Sequence, residues 1–284
     1  MNKRISANLY IIMSIVFGYL LSAAVSSIYG NGLNSAQLVN MLNIVNILVI
    51  TAIPTTVYVI FNRETFFGNF QDVPAKRWIK YICVLPIIWM TATYLNAAAN
   101  NFLSKFGIEL IDQLPPADNQ KTLITGFFLA CVVAPIFEEL FYRGVVLSLL
   151  KGYGSGAAIV ISSVLFAFGH NSVTILVSPF VLGLFLAYVT LKRKNVFLAI
   201  LLHFESNLIS WTLAYTKMED RVRIFISLII LTLGASTAVF AMVKILKNSD
   251  KVHTIVHQSL QYIKNPLWLP ILANYIYLNI INHG

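Results

Sequence analysis

Charge is scarce in this chain of 284 residues. Only 11% of the residues are charged, and 58% are hydrophobic. Soluble globular domains carry roughly 25% charged residues. This shortage excludes an ordinary water-soluble protein. The repeated apolar runs instead predict an all-α fold, a polytopic membrane helix bundle embedded in a lipid bilayer.

Cysteine is almost absent as well. Cys83 and Cys131 lie in separate apolar runs, and the chain has no CxxC pair or other metal-type cysteine spacing. A cysteine-based metal site is therefore excluded. We expect both residues to be buried free thiols that pack as small hydrophobic side chains.

Acidic residues are few relative to basic ones, and the formal net charge is +9. The basic residues occur at the ends of apolar runs rather than in one patch, which excludes nucleic acid as a partner. With the N-terminus inside, fourteen Lys and Arg fall on the cytoplasmic side and five outside, leaving Arg143 within the membrane. By the positive-inside rule, this bias predicts that both termini are cytoplasmic.

Eight apolar runs are predicted to span the membrane, given that about 20 residues cross a hydrocarbon core of about 30 Å. They cover residues 8–28, 38–61, 79–100, 122–150, 156–172, 174–191, 195–215 and 223–246. The fifth and sixth are short and almost continuous, which predicts a hairpin that stops below the outer surface. We divide the chain into an N-terminal part (1–120), a core (121–215) and a last span with an interfacial tail (216–284).

Three spans contain polar residues near mid-membrane, where ionisable side chains usually mark a functional cavity. These residues are Glu138, Glu139, Arg143, His170, His203, Glu205 and Asn207. At about 1.5 Å per residue, Glu138, His170 and Asn207 each lie about 20 Å from the cytoplasmic edge, and His203 about 14 Å. Because independent helices had no need to agree in depth, we predict one shared polar site.

Helical phase separates the two adjacent acids. Residues four apart share a face, so Glu139 and Arg143 are predicted to pair, whereas Glu138 points about 100° away and lacks that partner. His203 and Asn207 are also four apart and share a face. Glu205 points away from them and receives no role.

These polar residues form three motifs in a fixed order. They are EExxxR from Glu138 to Arg143, FxxxH from Phe166 to His170, and HxxxN from His203 to Asn207. Their order and spacing over roughly residues 120–212 resemble the CPBP family, also called the Abi or CAAX-protease-like family. Its members include endoproteases that trim prenylated CAAX tails and bacterial relatives linked to bacteriocin processing and immunity.

The resemblance implies an intramembrane protease that depends on glutamate and histidine. Carried over by motif, Glu138 activates the attacking water, and Asn207 stabilises the oxyanion. His170 and His203 bind a metal or assist at the scissile carbonyl. Glu139 and Arg143 maintain the shape of the site.

The resemblance leaves the cofactor open between one divalent metal ion such as zinc, bound by His170 and His203, and no metal. The expected substrate is a peptide or membrane-anchored protein, in bacteriocin or pheromone processing or in self-immunity. The expected location is a bacterial plasma membrane. Two alternatives stay open, a non-catalytic scaffold that regulates a partner such as a sensor kinase, and a proton-coupled carrier.

Overall fold

Helices make up the whole regular structure of the described residues. The computed structural model describes residues 35–106, 120–170, 172–216 and 218–264, with the isolated positions 13, 24, 28, 269, 272 and 273. These residues form helices and no strand, which confirms the predicted all-α class. The predicted first span (8–28) and the apolar residues 267–281 of the tail lie almost wholly outside the described residues, and residues 107–119 lie wholly outside them.

Eight helices follow one another along the described chain. The first, α1, continues through the segments Ser35–Asn46, Ile47–Ala52 and Ile53–Phe67. The others are α2 (Ala75–Ser104), α3 (Gln120–Tyr153), α4 (Ser155–Phe168), α5 (Val177–Arg193), α6 (Val196–Tyr215), α7 (Asp220–Leu246) and α8 (Ser249–Ile263).

Five of the described helices, α1, α2, α3, α6 and α7, are long and apolar enough to cross a membrane. Helix α4 has 14 residues and α5 has 17, and the two pack along each other. At about 1.5 Å per residue, α4 covers about 21 Å, less than a hydrocarbon core of about 30 Å. The two short predicted spans therefore correspond to a hairpin of short helices.

Three connections between helices meet at one end of the bundle. Asn69, after α1, accepts a hydrogen bond from Lys151 Nζ at the end of α3 (3.3 Å). The Gln71 amide donates to the Lys194 carbonyl (2.8 Å), and Asn195 Nδ2 donates to the Gln71 carbonyl (2.6 Å). The predicted topology also puts these three connections on one side of the membrane.

Helix α7 packs closely along α2. A Cβ added at Gly234 would lie 2.7 Å from the Met90 carbonyl oxygen and 2.8 Å from Tyr94 Cβ. The hydroxyls of Thr91 and Thr237 form a hydrogen bond across the same interface. Small residues with hydroxyl bonds are a common way for helices to associate in a bilayer, where apolar contact alone gives little preference.

Helix α8 is one that the apolar runs did not predict. It packs on the turn between α3 and α4, where a Cβ on Gly154 would lie 2.6 Å from Gln258 Oε1 and one on Gly156 would lie 2.5 Å from Ile255 Cγ1. Gly154 has φ +99°, which favours glycine. The apolar and polar residues of α8 alternate with helical period. Helix α8 therefore lacks the continuous apolar run by which the spans were predicted.

The two cysteines differ in exposure. Cys131 is buried, as expected, but Cys83 in α2 is exposed. The expectation that both thiols are buried is therefore wrong for Cys83. An apolar run in a membrane helix has no need to bury every face in protein, because lipid also accepts apolar side chains.

Replacing Gly234 with alanine tests the close approach of α7 to α2. A Cβ at this position pushes against a main-chain carbonyl, so we expect a destabilisation of about 1–3 kcal/mol, although alanine is the better helix former. Thermal unfolding in detergent measures the effect. Gly152→Ala is the matched control, because no atom lies within 4 Å of its added Cβ. Equal unfolding temperatures for the two variants would contradict this packing.

Candidate active site

A cavity of about 470 Å³ opens inside the bundle. Glu138 of α3, His170 just beyond α4, and His203 and Asn207 of α6 all line it. The structure thus brings together the four residues for which the motifs predict catalytic roles. Glu139 and Arg143 lie behind the wall, fully buried, and Glu205 is not among the lining residues.

Helix α3 is irregular on both sides of its two acids. The segments Phe128–Val133 and Leu140–Val146 have the wider π-helical turn, and the short α-helical segment Ala134–Glu139 lies between them. Wide turns of this kind are rare and often occur at functional sites. They change the helical phase locally, so they help to set where Glu138 and Glu139 point.

Pro135 leaves one carbonyl of α3 without a main-chain donor. The Ala134 amide donates to Leu129 O, so it is not used for Ala130 O. The next donor in that π register would come from Pro135, which has no N–H. Asn207 Nδ2 of α6 donates to Ala130 O instead, at 2.8 Å. This bond attaches α6 to α3 beside the cavity.

Glu139 and Arg143 form the pair that their spacing predicts. Arg143 Nε lies 3.0 Å from Glu139 Oε2, and both side chains are fully buried. Arg143 Nε and Glu139 Oε2 are not oriented for a hydrogen bond. The contact is therefore an ion pair without an aligned hydrogen bond. Arg143 Nη2 also donates a long bond of 3.4 Å to the Gly183 carbonyl of α5.

His203 lies between the two acids. Its Nδ1 is 2.9 Å from Glu139 Oε1, and its Nε2 is 4.0 Å from Glu138 Oε2. A carboxylate can only accept, so Nδ1 carries the proton of this bond, and Nε2 is the atom directed at Glu138. The Glu139 carboxylate therefore has two functions, because it neutralises Arg143 and orients His203.

His170 is oriented in the same way. Its Nδ1 is 3.0 Å from the carbonyl oxygen of Phe166, four residues earlier. A carbonyl only accepts, so Nδ1 is again the protonated nitrogen, and Nε2 is left for groups in the cavity. Both histidines thus use Nδ1 for a protein acceptor.

The ring of Phe166 is the centre of the site's packing. The ring centroids of His170, His203 and Tyr142 lie 4.9, 5.5 and 5.3 Å from that of Phe166, with interplanar angles of 80–84°. Arg143 Cζ lies 4.3 Å from the same centroid, a cation–π contact. Sequence reasoning placed Phe166 in a motif but gave it no role.

The segment after His170 is fastened to α2. Asn96 Nδ2 donates to the Thr174 carbonyl (2.8 Å), and Asn96 Oδ1 accepts from the Ser178 amide (3.2 Å). A Cβ on Gly169 would lie 2.5 Å from the Tyr142 hydroxyl oxygen, so glycine is needed where this segment leaves α4. These contacts fix the position from which His170 enters the cavity.

Helix α1 supplies a wall of the cavity that the motifs did not predict. Asn43, Ile47, Ile50 and Thr51 line the cavity, and so does Trp211 near the end of α6. Asn43 and Thr51 are two of several Asn and Thr residues in the predicted span 38–61, and no motif distinguishes them from the others. Nothing in the sequence shows which helix faces the three motif-bearing ones.

The donor set does not fit a zinc site of three protein ligands, which is the usual catalytic arrangement. Across the described part of the chain, no group of three His, Cys, Asp or Glu is close enough together to bind a metal ion. His170 and His203 would contribute two nitrogens, and the predicted metal pair lacks a third ligand in range.

Residues 120–209 match the family described as Type II CAAX prenyl endopeptidase Rce1-like. The match is a similarity over this segment of the 284-residue chain. The predicted resemblance to the CPBP family is thereby confirmed, and the family supports an intramembrane endopeptidase activity in general. With the apolar helices, it also indicates a multi-pass membrane protein.

The matched domain covers α3, α4, α5 and most of α6, and with them all three motifs. Helices α1, α2, α7 and α8 lie outside it, and so does Trp211. A search of curated proteins found no match. A search of solved structures found none either.

Double substitutions separate the two functions of Glu139. Arg143→Met or Glu139→Leu alone leaves a buried charge without its partner, and we expect each to cost about 3–5 kcal/mol. The double variant Glu139→Leu/Arg143→Met removes both charges and should regain most of the stability. Thermal unfolding measures these effects.

The matched variant Glu139→Gln/Arg143→Met keeps an oxygen that accepts from His203 Nδ1. We expect it to be as stable as the leucine double variant but to retain more endopeptidase activity. Equal activity of the two double variants would show that Glu139 does not act through His203.

Proposed function

We propose that the protein is an intramembrane endopeptidase that hydrolyses a peptide bond with a water activated by Glu138. The observation that carries the proposal is the pair formed by Glu138 Oε2 and His203 Nε2, 4.0 Å apart beside one cavity. The similarity of residues 120–209 to the Rce1-like endopeptidase family also supports the proposal. The Glu138 side chain is 22% exposed, whereas that of Glu139 is fully buried.

The gap between Glu138 and His203 suits one water molecule. A separation of 4.0 Å is too long for a direct hydrogen bond, but a water can bridge it with two bonds of about 2.8 Å. With Nδ1 protonated, the Nε2 of a neutral imidazole accepts one water hydrogen, and the Glu138 carboxylate accepts the other. The water's lone pairs then remain for the substrate carbonyl.

The reaction follows from this arrangement. Glu138 removes one proton as the water oxygen bonds to the carbonyl carbon, and the carbonyl π electrons move to its oxygen. When the tetrahedral intermediate collapses, the C–N bond breaks, and protonated Glu138 donates its proton to the leaving nitrogen. The products are a new carboxyl group and a new amine, and Glu138 returns to its starting state.

Asn207 is suited to stabilise the oxyanion. One hydrogen of Nδ2 binds the Ala130 carbonyl, which holds the amide in place, and the second hydrogen is left for the developing negative charge. A donor held in advance gives more stabilisation than one that must reorient during the reaction. His170 Nε2 lines the same cavity and assists at the carbonyl.

The proposed catalytic core is 121–215, with 1–120 and 216–284 as flanking membrane parts. The proposed setting is a bacterial plasma membrane with both termini in the cytoplasm. There the enzyme would act on a peptide or membrane-anchored protein, in bacteriocin or pheromone processing or in self-immunity.

Glu138→Gln tests the proposal. The amide is close in size but cannot take a proton, so we expect turnover to fall on the order of 10²–10⁴-fold. The unfolding temperature should change little, because Glu138 borders a cavity rather than the packed interior. Cleavage of membrane peptides by the purified full chain, followed by mass spectrometry, measures the rate.

Glu205→Gln is the matched control, since it makes the same chemical change in a membrane helix away from the cavity lining. We expect it to keep the wild-type rate. A Glu138→Gln protein that cleaves at the wild-type rate would contradict the mechanism. Replacement of Glu138, His170 and His203 without any change in cellular phenotype would favour the scaffold instead.

A further inference from the structure

Large apolar side chains from α1, α3, α6 and the segment after His170 line part of the cavity, beside the polar Asn43 and Thr51 of α1. Ile47 and Ile50 of α1 are each only 8% exposed and line the cavity. Leu129, Ile175 and Trp211 continue this lining. Together with the two isoleucines they are called the apolar wall below. It borders the same space as Glu138 and His203.

The apolar wall is held in place by packing. The Ile47–Ala52 segment of α1 contacts the Ala134–Glu139 segment of α3, which carries Glu138. The ring of Trp211 lies 6.0 Å from that of Phe127 and 4.3 Å from that of Tyr215. A Cβ on Gly126 would lie 2.9 Å from Trp211 Cη2. The wall is therefore a formed surface beside the reacting groups.

The charge of the cavity restricts what can occupy it. Among the described residues that line it, Glu138 is the acid and none is lysine or arginine. Arg143 is fully buried behind Glu139 and already paired. A substrate carboxylate in this space would lose its hydration beside Glu138 without a cation to compensate, which is strongly unfavourable.

We propose that the apolar wall is a binding subsite for a large uncharged side chain next to the scissile bond, so that the substrate is an internal apolar peptide segment. This inference rests on the proposed endopeptidase function and names its substrate class. A cavity of about 470 Å³ is within the usual range for ligand sites, about 300–1,000 Å³. Leu129 and Ile175 lie within the matched residues 120–209, whereas helix α1 and Trp211 lie outside them.

The test uses decapeptides of otherwise uncharged residues in which one position is Ala, Leu, Phe, Trp or Asp, each with an acetylated N-terminus and a free or an amidated C-terminus. The full chain in detergent is assayed by mass spectrometry, which locates the cut. We expect cleavage next to Leu or Phe, at least tenfold slower cleavage with Asp, and no gain from a free carboxylate near the bond. Faster cleavage of peptides with Asp or a nearby free carboxylate would overturn the inference.

Ile47→Ala and Ile50→Ala enlarge the subsite. We expect each to raise kcat/KM for the Trp peptide relative to the Leu peptide by about tenfold, which is typical of a change of a few methyl groups in a pocket. Ile44→Ala is the matched control, because Ile44 is on the same helix but 41% exposed and does not line the cavity. Unchanged ratios in both cavity variants would overturn the inference.

Binding separates this inference from the proposed function. The same peptides are titrated against Glu138→Gln protein, alone and combined with Ile47→Ala or Ile44→Ala. The subsite is supported without turnover if two results are found. The Leu peptide must bind more tightly than the Asp peptide, and the affinity for the Trp peptide must rise with Ile47→Ala but not with Ile44→Ala. Such binding with no cleavage by wild-type protein would refute the proposed function alone. Cleavage or binding that is indifferent to the varied side chain would refute the subsite alone.

Discussion

A buried arginine in the middle of an apolar helix is the constraint on which the site depends. Arg143 needs a negative partner in a medium that cannot solvate it, and Glu139 supplies one oxygen at 3.0 Å. The second oxygen of the same carboxylate accepts from His203 at 2.9 Å. The Glu139 carboxylate that neutralises Arg143 on α3 therefore also orients His203 on α6. His203 in turn faces Glu138.

The packing around Phe166 connects Arg143 and His203 to His170. Its ring contacts Arg143 on one face and has both histidines as edge-to-face neighbours, while its carbonyl orients His170. Close packing of this kind holds side chains in single positions. The two histidines come from separate parts of the chain, but they share a single aromatic neighbour.

The sequence predicted correctly those features that depend on residue positions within a single helix. Spacing of four residues predicted the Glu139–Arg143 pair, and helical rise predicted a common depth for the polar residues of three spans. The contact of Glu139 with His203 and the wall from α1 depend on how separate helices pack, which residue spacing does not encode. The exposure of Cys83 was mispredicted and the amphipathic α8 was missed, because an apolar run reports hydropathy and not which partner each face of a helix contacts.

The pairing of Glu139 and Arg143 within one helix also has a consequence for biogenesis. A charge at the centre of a helix opposes its transfer into the bilayer by about 2.5–3.5 kcal/mol per residue. Because both partners lie on α3, they can neutralise each other as soon as this helix forms, before α6 has been synthesised. Glu138 is then the only acid of α3 that enters the bilayer without a partner on its own helix.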